Sequence, residues 1–293
     1  MEFIEKLKNW LLAIRLKTLT ASIVPVVVGS LYALPDFNVK IFVLCLLCAI
    51  SLQISVNFAN DYFDFKKGVD TKERVGPTRV TASGLISLAS MKYAIGFFLT
   101  LSAILGLTLI AKGGWFFAVL GVLSLCGALM YSGGPFPLAS NALGEVTVFI
   151  FFGLVAVVGC YYLQTGKVSS DVFMFASYIG LLSSAIMLVN NTRDIVTDRK
   201  VEKNTLAVVL GEEHSKKLYS AFIFSPFLVI IYFGLNNDIW WLALLVLVIP
   251  SVTLVKLMFK SSGVDLNKVL ALTSLMLLAH GLLISAVLLV KNL

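Results

Sequence analysis

The sequence has few charged residues: 13% of its 293 residues are Asp, Glu, Lys or Arg, whereas 59% are apolar. A soluble domain carries about 25% charged residues, so this composition excludes an ordinary soluble protein and indicates lipid as the solvent. No hydrophilic stretch is long enough to fold separately. We therefore expect a single polytopic membrane domain over residues 1–293.

Histidine and cysteine are also scarce, with two and four residues. Cys45 and Cys48 form a CxxC within an apolar stretch, without a second pair or a nearby histidine, so packing explains them better than a metal or redox site does. The net charge of +7 comes from cations in short loops, a pattern that sets membrane topology and argues against nucleic acid. Arg15 and Lys17 interrupt the first apolar run, so a cleaved signal peptide is not expected.

Nine apolar runs alternate with short loops rich in Gly, Pro, Asn and Asp. A run of about 20 residues is long enough to cross a bilayer as a helix. We therefore predict an all-α membrane protein with about nine transmembrane helices, near residues 10–34, 41–65, 88–111, 115–131, 142–163, 172–193, 215–234, 239–258 and 268–290.

Lysine and arginine lie mostly on one side of this predicted topology. The N-terminus and the loops that follow even-numbered spans carry 19 of the 23 cations, and the opposite side carries the other four. Because cytoplasmic loops are enriched in Lys and Arg, the N-terminus and these loops are expected in the cytoplasm.

Two predicted spans end in polar stripes at this cytoplasmic side. In the second span Asn57, Asn60, Asp61 and Asp64 recur at spacings of three and four residues, which places them on one helix face. Asp70 follows in the loop. In the sixth span the spacing is four residues throughout, from Asn190 to Asp194 to Asp198. Oxygen ligands of this kind, without histidine or cysteine, favour Mg²⁺.

Many cations surround the two stripes. A diphosphate is bound by metal bridging to some of its oxygens and by cations on the others, so the combination indicates a site for Mg²⁺ and diphosphate. The cations concerned are Lys66, Lys67, Lys72, Arg74, Arg79, Arg193, Arg199, Lys200 and Lys203.

Two other interpretations compete with this one. The acids could be ordinary loop charges, but such charges would not repeat the Asn-x-x-x-Asp spacing at Asn60/Asp64 and Asn190/Asp194. A cation-coupled transporter would also place carboxylates in its spans. Against a transporter, the acids cluster at one end of the spans, and only Glu145 lies well inside another span.

Four sequence tracts, in this order, resemble the UbiA superfamily of intramembrane aromatic prenyltransferases. The resemblance covers nearly the whole chain. The tracts are WLLAIRLKTLTASIVPVVVGS, NDYFDFKKGVDTKERVGPTRVTASGLIS, YSGGPFPL with a following LGE, and NNTRDIVTDRKVEKNTLAVVLG. One departure is that Phe136 and Ala139 stand where related enzymes often carry a Lys or Arg.

The resemblance implies helices around a central cavity that opens to the cytoplasmic side and laterally to lipid. It also implies Mg²⁺ as cofactor. The implied metal ligands are Asn60, Asp64, Asn190, Asp194 and Asp198, with Asp61 and Asp70 as supporting or second-metal groups. The implied diphosphate contacts are Arg15, Lys67, Arg74, Arg79, Arg193, Lys200 and Lys203.

The implied reaction is the transfer of a polyprenyl group from polyprenyl diphosphate to an aromatic ring. The spacing from Asp64 to Asp70 and the tract Arg74–Arg79 resemble those of members that prenylate 1,4-dihydroxy-2-naphthoate with loss of CO₂; 4-hydroxybenzoate and homogentisate are alternative acceptors. Tyr131 is expected to face the allylic cation, and Asp61 or Asp198 to act as base. A bacterial inner membrane is the expected location, with no obligate protein partner.

Overall fold

A computed structural model describes residues 2–68, 76 and 79–292, and these residues are almost entirely helical. Apart from one isolated bridge between Asn141 and Asn204, the described part contains only helices and loops. The helices are α1 (Glu2–Ile14), α2 (Leu16–Leu31), α3 (Val39–Lys66), α4 (Leu88–Gly113), α5 (Trp115–Met130), α6 (Gly144–Thr165), α7 (Ser170–Arg193), α8 (Ile195–Lys200), α9 (Leu206–Asn236), α10 (Ile239–Lys260) and α11 (Leu266–Lys291).

Each of the nine apolar runs forms helix, so the predicted all-α membrane class is confirmed. The predicted count of nine spans is not. Within the described residues seven helices are long and apolar enough to cross a membrane, or eight if the bent pair α1 and α2 is one span. The remaining candidate, α5, has only 16 residues, a length of about 24 Å at 1.5 Å per residue.

The first span, predicted near residues 10–34, consists of two helices with a break between them. Arg15 has φ 56° and ψ 63°, a left-handed conformation that ends α1, and the chain bends by 60° before α2. Asn57 on α3 stabilises the break: its amide donates to the carbonyl oxygen of Ile14 at 2.8 Å and to the Thr18 hydroxyl at 3.0 Å. The bend leaves Arg15 at a helix break instead of on a helix face.

Helix α7 lies at the centre of the bundle and packs against α2, α6, α9 and α11. Its closest neighbour is α6, whose middle residues 149–158 are wound as a π-helix. A Cβ added at Gly153 of α6 would lie 2.6 Å from the Ala176 carbonyl oxygen and 2.8 Å from the Gly180 Cα. The two helices therefore approach so closely that only glycine fits at this crossing.

The bundle also brings the two polar stripes together. They lie at the C-terminal ends of α3 and α7, with Asp198 in the short helix α8, and residues from both stripes line one cavity. The loop after α5 is tied to the loop before α9, since Ala142 N–H donates to the Asn204 carbonyl at 2.8 Å and Asn204 N–H donates to the Ser140 carbonyl at 3.1 Å. The loops beside the stripes are thereby held over the same end of the bundle.

The crossing of α6 and α7 predicts a specific packing defect. Gly153→Ala should lower the free energy of unfolding by about 1–3 kcal/mol, because the added methyl group has no room. Gly96→Ala is the matched control: its Cβ would meet open space, and alanine favours a helix by about 1 kcal/mol over glycine. Thermal unfolding in detergent measures both variants. Equal unfolding midpoints would contradict the close crossing.

Candidate active site

The stripe at the end of α3 presents Asn60 and Asp64 to the cavity. Asp64 Oδ2 accepts a hydrogen bond from Arg79 Nη2 at 2.6 Å, and the two side chains are only 10% and 7% exposed. A buried carboxylate is costly unless a cation or donors satisfy it. The ion pair therefore fixes the loop that carries Arg79 against the end of α3.

Asp61 belongs to the same sequence stripe but has a different surrounding. Its Oδ2 accepts a hydrogen bond from the Val80 backbone N–H at 3.2 Å, and the residue is 2% exposed. Asp61 is not one of the described residues that line the cavity. Its carboxylate secures the segment that follows Arg79, and its expected role as base or supporting ligand stays a prediction.

The second stripe is organised by Arg193. The guanidinium donates two hydrogen bonds to Asp194, from Nε to Oδ1 at 2.8 Å and from Nη2 to Oδ2 at 2.6 Å. It also donates to Asn190 Oδ1 and to Asn267 Oδ1, each at 2.9 Å. Asn190, Arg193 and Asp194 all line the cavity. This fork-shaped pairing suits arginine and fixes the orientation of both partners.

Asp198 lies one turn further on, in α8, and is 5% exposed. Lys203 Nζ is 3.6 Å from Asp198 Oδ1. Lys203 lines the cavity, whereas Asp198 and Lys200 are not among the described lining residues, and Lys200 is exposed. The structure thus brings Lys203 to the candidate site and places Asp198 behind it.

Ser132 connects the loop after α5 to the first stripe. Its hydroxyl donates a short hydrogen bond to Asn60 Oδ1, and its carbonyl accepts one from Lys67 Nζ at 2.8 Å. The pKa of Lys67 lies below its usual value, chiefly because partial burial disfavours the charged ammonium; Lys203 acts in the same sense and Asp64 in the opposite one. Sequence reasoning missed Ser132, although its position directly after Tyr131 was a usable signal.

Arg15 and Tyr131 also line the cavity, as predicted residues of the site. Tyr131 follows α5 and is 8% exposed. Its hydroxyl donates to the Met187 sulfur at 3.2 Å. Arg15 owes its position to the helix break, which Asn57 stabilises. Two further predicted residues, Asp70 and Arg74, lie outside the described residues.

The cavity joins this polar end to a long apolar channel and has a volume of about 1130 Å³. Along α3 it runs from Asp64 and Asn60 to Cys45; the 15 residues from Asn60 to Cys45 rise by about 22 Å. Its wall includes Leu107 of α4 and Val122 of α5, which are 65% and 60% exposed. The channel therefore reaches the apolar outer surface of the bundle.

The oxygen atoms at the polar end of the cavity suit a hard cation as ligands. Asn60, Asp64, Asn190 and Asp194 supply carbonyl and carboxylate oxygens from the two stripes to one cavity, and such oxygens are the ligands that Mg²⁺ prefers. Within the described ranges no three His, Cys, Asp or Glu side chains converge to hold a metal by themselves. A metal here would therefore be shared between the two stripes and the oxygens of a bound substrate.

Comparison with known proteins identifies the family. The model of the UbiA prenyltransferase family matches residues 22–288. The chain is 39% identical over 247 residues to the 1,4-dihydroxy-2-naphthoate octaprenyltransferase of Haemophilus influenzae, covering 81% of this chain and 80% of that protein. It is 34% identical to the enzyme of the same name from Escherichia coli, covering 83% and 82%.

The fold agrees with a solved structure of the same family. A UbiA homolog from Archaeoglobus fulgidus, solved with bound DMAPP and Mg²⁺, superposes with a TM-score of 0.67 at 15% identity, covering 95% of this chain and 99% of that one. At this identity the likeness shows the fold alone. The family match and the two bacterial relatives show more: this chain belongs to the UbiA prenyltransferase family and is a multi-pass membrane prenyltransferase.

Proposed function

We propose that this enzyme transfers a polyprenyl group from polyprenyl diphosphate to 1,4-dihydroxy-2-naphthoate, giving demethylmenaquinol, CO₂ and diphosphate. The observation that carries the proposal is the continuity of the cavity. One space joins a polar end with acids, amides and cations to an apolar channel, which matches a substrate with a charged head and a hydrocarbon tail. The acceptor is supported by the names of the relatives.

The polar end would hold the diphosphate with Mg²⁺. Asn60, Asp64, Asn190 and Asp194 would hold the metal, which when bound supplies a Lewis acid that neutralises charge on the leaving diphosphate. Mg²⁺ accompanies the prenyl diphosphate in the archaeal homolog, which supports the assignment.

Cations of this chain would meet the remaining diphosphate oxygens. Arg79 and Arg193 are buried in the cavity wall, and Lys203 and Arg15 also line it. Charge-assisted hydrogen bonds from such groups are about twice as strong as neutral ones. Lys67 and Lys200, together with Arg74, remain proposed contacts of the diphosphate, and Asp70 and Asp198 remain proposed additional metal ligands.

The proposed reaction breaks one bond in each substrate and forms one new bond between them. The allylic C–O bond breaks and its electron pair leaves with the diphosphate, while the ring carbon that bears the carboxylate forms the new C–C bond. The ring carboxylate leaves as CO₂ and returns its electron pair to the ring. The channel walls exclude water from the allylic carbon, and the face of Tyr131 would stabilise positive charge there by roughly 1–2 kcal/mol.

We also propose that the polar end faces the cytoplasm, in the inner membrane of a bacterium. The bias of Lys and Arg toward the N-terminus and the loops at this end supports the orientation. Water-soluble diphosphate would then leave to the cytoplasm, and the prenylated product would leave sideways into lipid.

Assays of the purified protein test the proposed reaction. Incubation with Mg²⁺, geranylgeranyl diphosphate and 1,4-dihydroxy-2-naphthoate should release diphosphate and CO₂ in equal amounts and form a prenylated quinol. Parallel incubations with 4-hydroxybenzoate and homogentisate should give much lower rates. Faster transfer to another acceptor would show that the proposed acceptor is wrong. If no acceptor leads to diphosphate release, the proposed prenyl transfer itself is refuted.

The metal assignment predicts loss of activity when either stripe loses one carboxylate. Asp64→Asn and Asp194→Asn should each lower kcat by about 10²–10³-fold, because charge on the leaving group loses its stabilisation. Both should also raise the Mg²⁺ concentration that gives half-maximal rate. Asn can still accept a hydrogen bond from the neighbouring arginine, which offsets part of the cost of leaving that charge buried, and thermal unfolding checks that each variant keeps its fold.

Asp36→Asn is the matched control for these variants. Asp36 is an exposed acid in the loop between α2 and α3, far along α3 from the stripes, and its removal should leave both kcat and the Mg²⁺ requirement unchanged. Wild-type Mg²⁺ dependence in Asp64→Asn or Asp194→Asn would remove that residue from the metal site.

A further inference from the structure

Glu145 is a buried carboxyl group that the proposed reaction does not use. It lies in the first turn of α6 and is 2% exposed. Its backbone carbonyl accepts from the Ser184 hydroxyl at 2.9 Å, and its Oε1 accepts from Asn191 Nδ2 at 2.8 Å. Its Oε2 is buried without a hydrogen-bond partner among the described residues. A buried acid in an apolar helix requires a functional or structural reason.

The contact with Glu145 fixes which end of the Asn191 amide faces the cavity. The carboxyl oxygen accepts, so the NH₂ group of Asn191 must point toward it. Asn191 itself lines the cavity, and none of the described residues donates a hydrogen bond to its Oδ1. Glu145 lies behind this wall and is not among the described lining residues. The pair therefore offers the cavity a single oriented acceptor oxygen.

Tyr131 and Asn191 lie on either side of Gly144. A Cβ at Gly144 would lie 3.6 Å from the Tyr131 hydroxyl oxygen and 3.7 Å from Asn191 Nδ2, so the two polar groups flank Gly144. Among the described residues, the Tyr131 hydroxyl is engaged only with the sulfur of Met187, a weak acceptor. Asn190 and Asn191 both line the cavity, so this polar spot opens into the same space as the proposed diphosphate site.

We propose that Asn191 and Tyr131 form the subsite for a phenolic hydroxyl of the aromatic acceptor, with Glu145 as a positioning residue. Asn191 Oδ1 accepts the hydrogen bond of the phenol, and the Tyr131 hydroxyl turns from Met187 to the same oxygen atom of the acceptor. The inference rests on the proposed function, because it names where the acceptor of that reaction binds.

The chemistry favours a phenol over other ligands at this subsite. Asn191 Oδ1 is an acceptor and Tyr131 is both donor and acceptor, so together they match a hydroxyl group, which donates once and accepts. A carboxylate would meet the Asn191 oxygen with no proton to share. The adjoining wall is apolar, with Met187, Val148 and Phe151, and suits the flat faces of an aromatic ring.

Kinetics with acceptor analogues test the subsite. Asn191→Leu should raise KM for 1,4-dihydroxy-2-naphthoate by about tenfold, the size expected for one buried hydrogen bond left unmade, and leave KM for geranylgeranyl diphosphate within about twofold. The wild type should discriminate against one monomethyl ether of the acceptor, and Asn191→Leu should not. A purely structural role would not produce this loss of discrimination.

Variants of Glu145 test the positioning role. Glu145→Met removes the acceptor and should raise the same KM, whereas Glu145→Gln keeps an oxygen at the same place and should recover most of that loss. If Glu145→Gln instead abolishes kcat, the group acts as a base and the positioning role is wrong. The control for Asn191→Leu is Asn236→Leu, the same substitution at an exposed position of α9. It should leave the KM for the acceptor unchanged.

The outcomes separate the inference from the proposed function. No prenyl transfer by the wild type to any of these acceptors refutes the function itself. Transfer by the wild type with unchanged ether discrimination in Asn191→Leu refutes only the subsite. If Asn191→Leu does not fold, as judged by thermal unfolding, Asn191→Ala and Glu145→Met carry the same test.

Discussion

The candidate site depends on two buried ion pairs between an aspartate and an arginine, one beside the end of α3 and one at the end of α7. Asp64 pairs with Arg79 and Asp194 with Arg193, each with a contact of 2.6 Å. Removing one partner of such a pair leaves a buried charge, at a cost of about 3–5 kcal/mol. On the proposed function, metal and diphosphate together can take over both partners at once: the acids gain a cation and the arginines gain phosphate oxygens.

The same ion pairs place charged groups at one end of a channel, where we propose that the reaction takes place. Among the described lining residues, the charged groups lie on α1, at the bend at Arg15, at the ends of α3 and α7 and in the loops beside them, and the rest of the wall is largely apolar and can hold a prenyl chain. The close crossing of α6 and α7 at Gly153 supports this wall, and the bend at Arg15 brings a further cation to it. The helix packing and the position of the charged groups thus both suit the proposed substrate, which has a charged head and an apolar tail.

Sequence patterns predicted much of this arrangement and failed where contacts are remote. The apolar runs located the helices because lipid-facing helices must be apolar over their length, and the Asn-x-x-x-Asp spacing identified the two stripes. The break at Arg15 could not be predicted, since it depends on an amide of Asn57 that is distant in sequence. Likewise, nothing local shows that Asp61 turns to Val80, or that Ser132 reaches Asn60.

Calorimetric binding to the detergent-solubilised protein tests most directly whether one cavity holds head and tail together. The thiolodiphosphate analogue of geranylgeranyl diphosphate should bind much more tightly than inorganic diphosphate or geranylgeraniol alone, and only with Mg²⁺ present. A bulky change in the channel wall, Gly159→Trp, should weaken the analogue but not inorganic diphosphate. Equal affinity for the analogue and inorganic diphosphate would contradict the account.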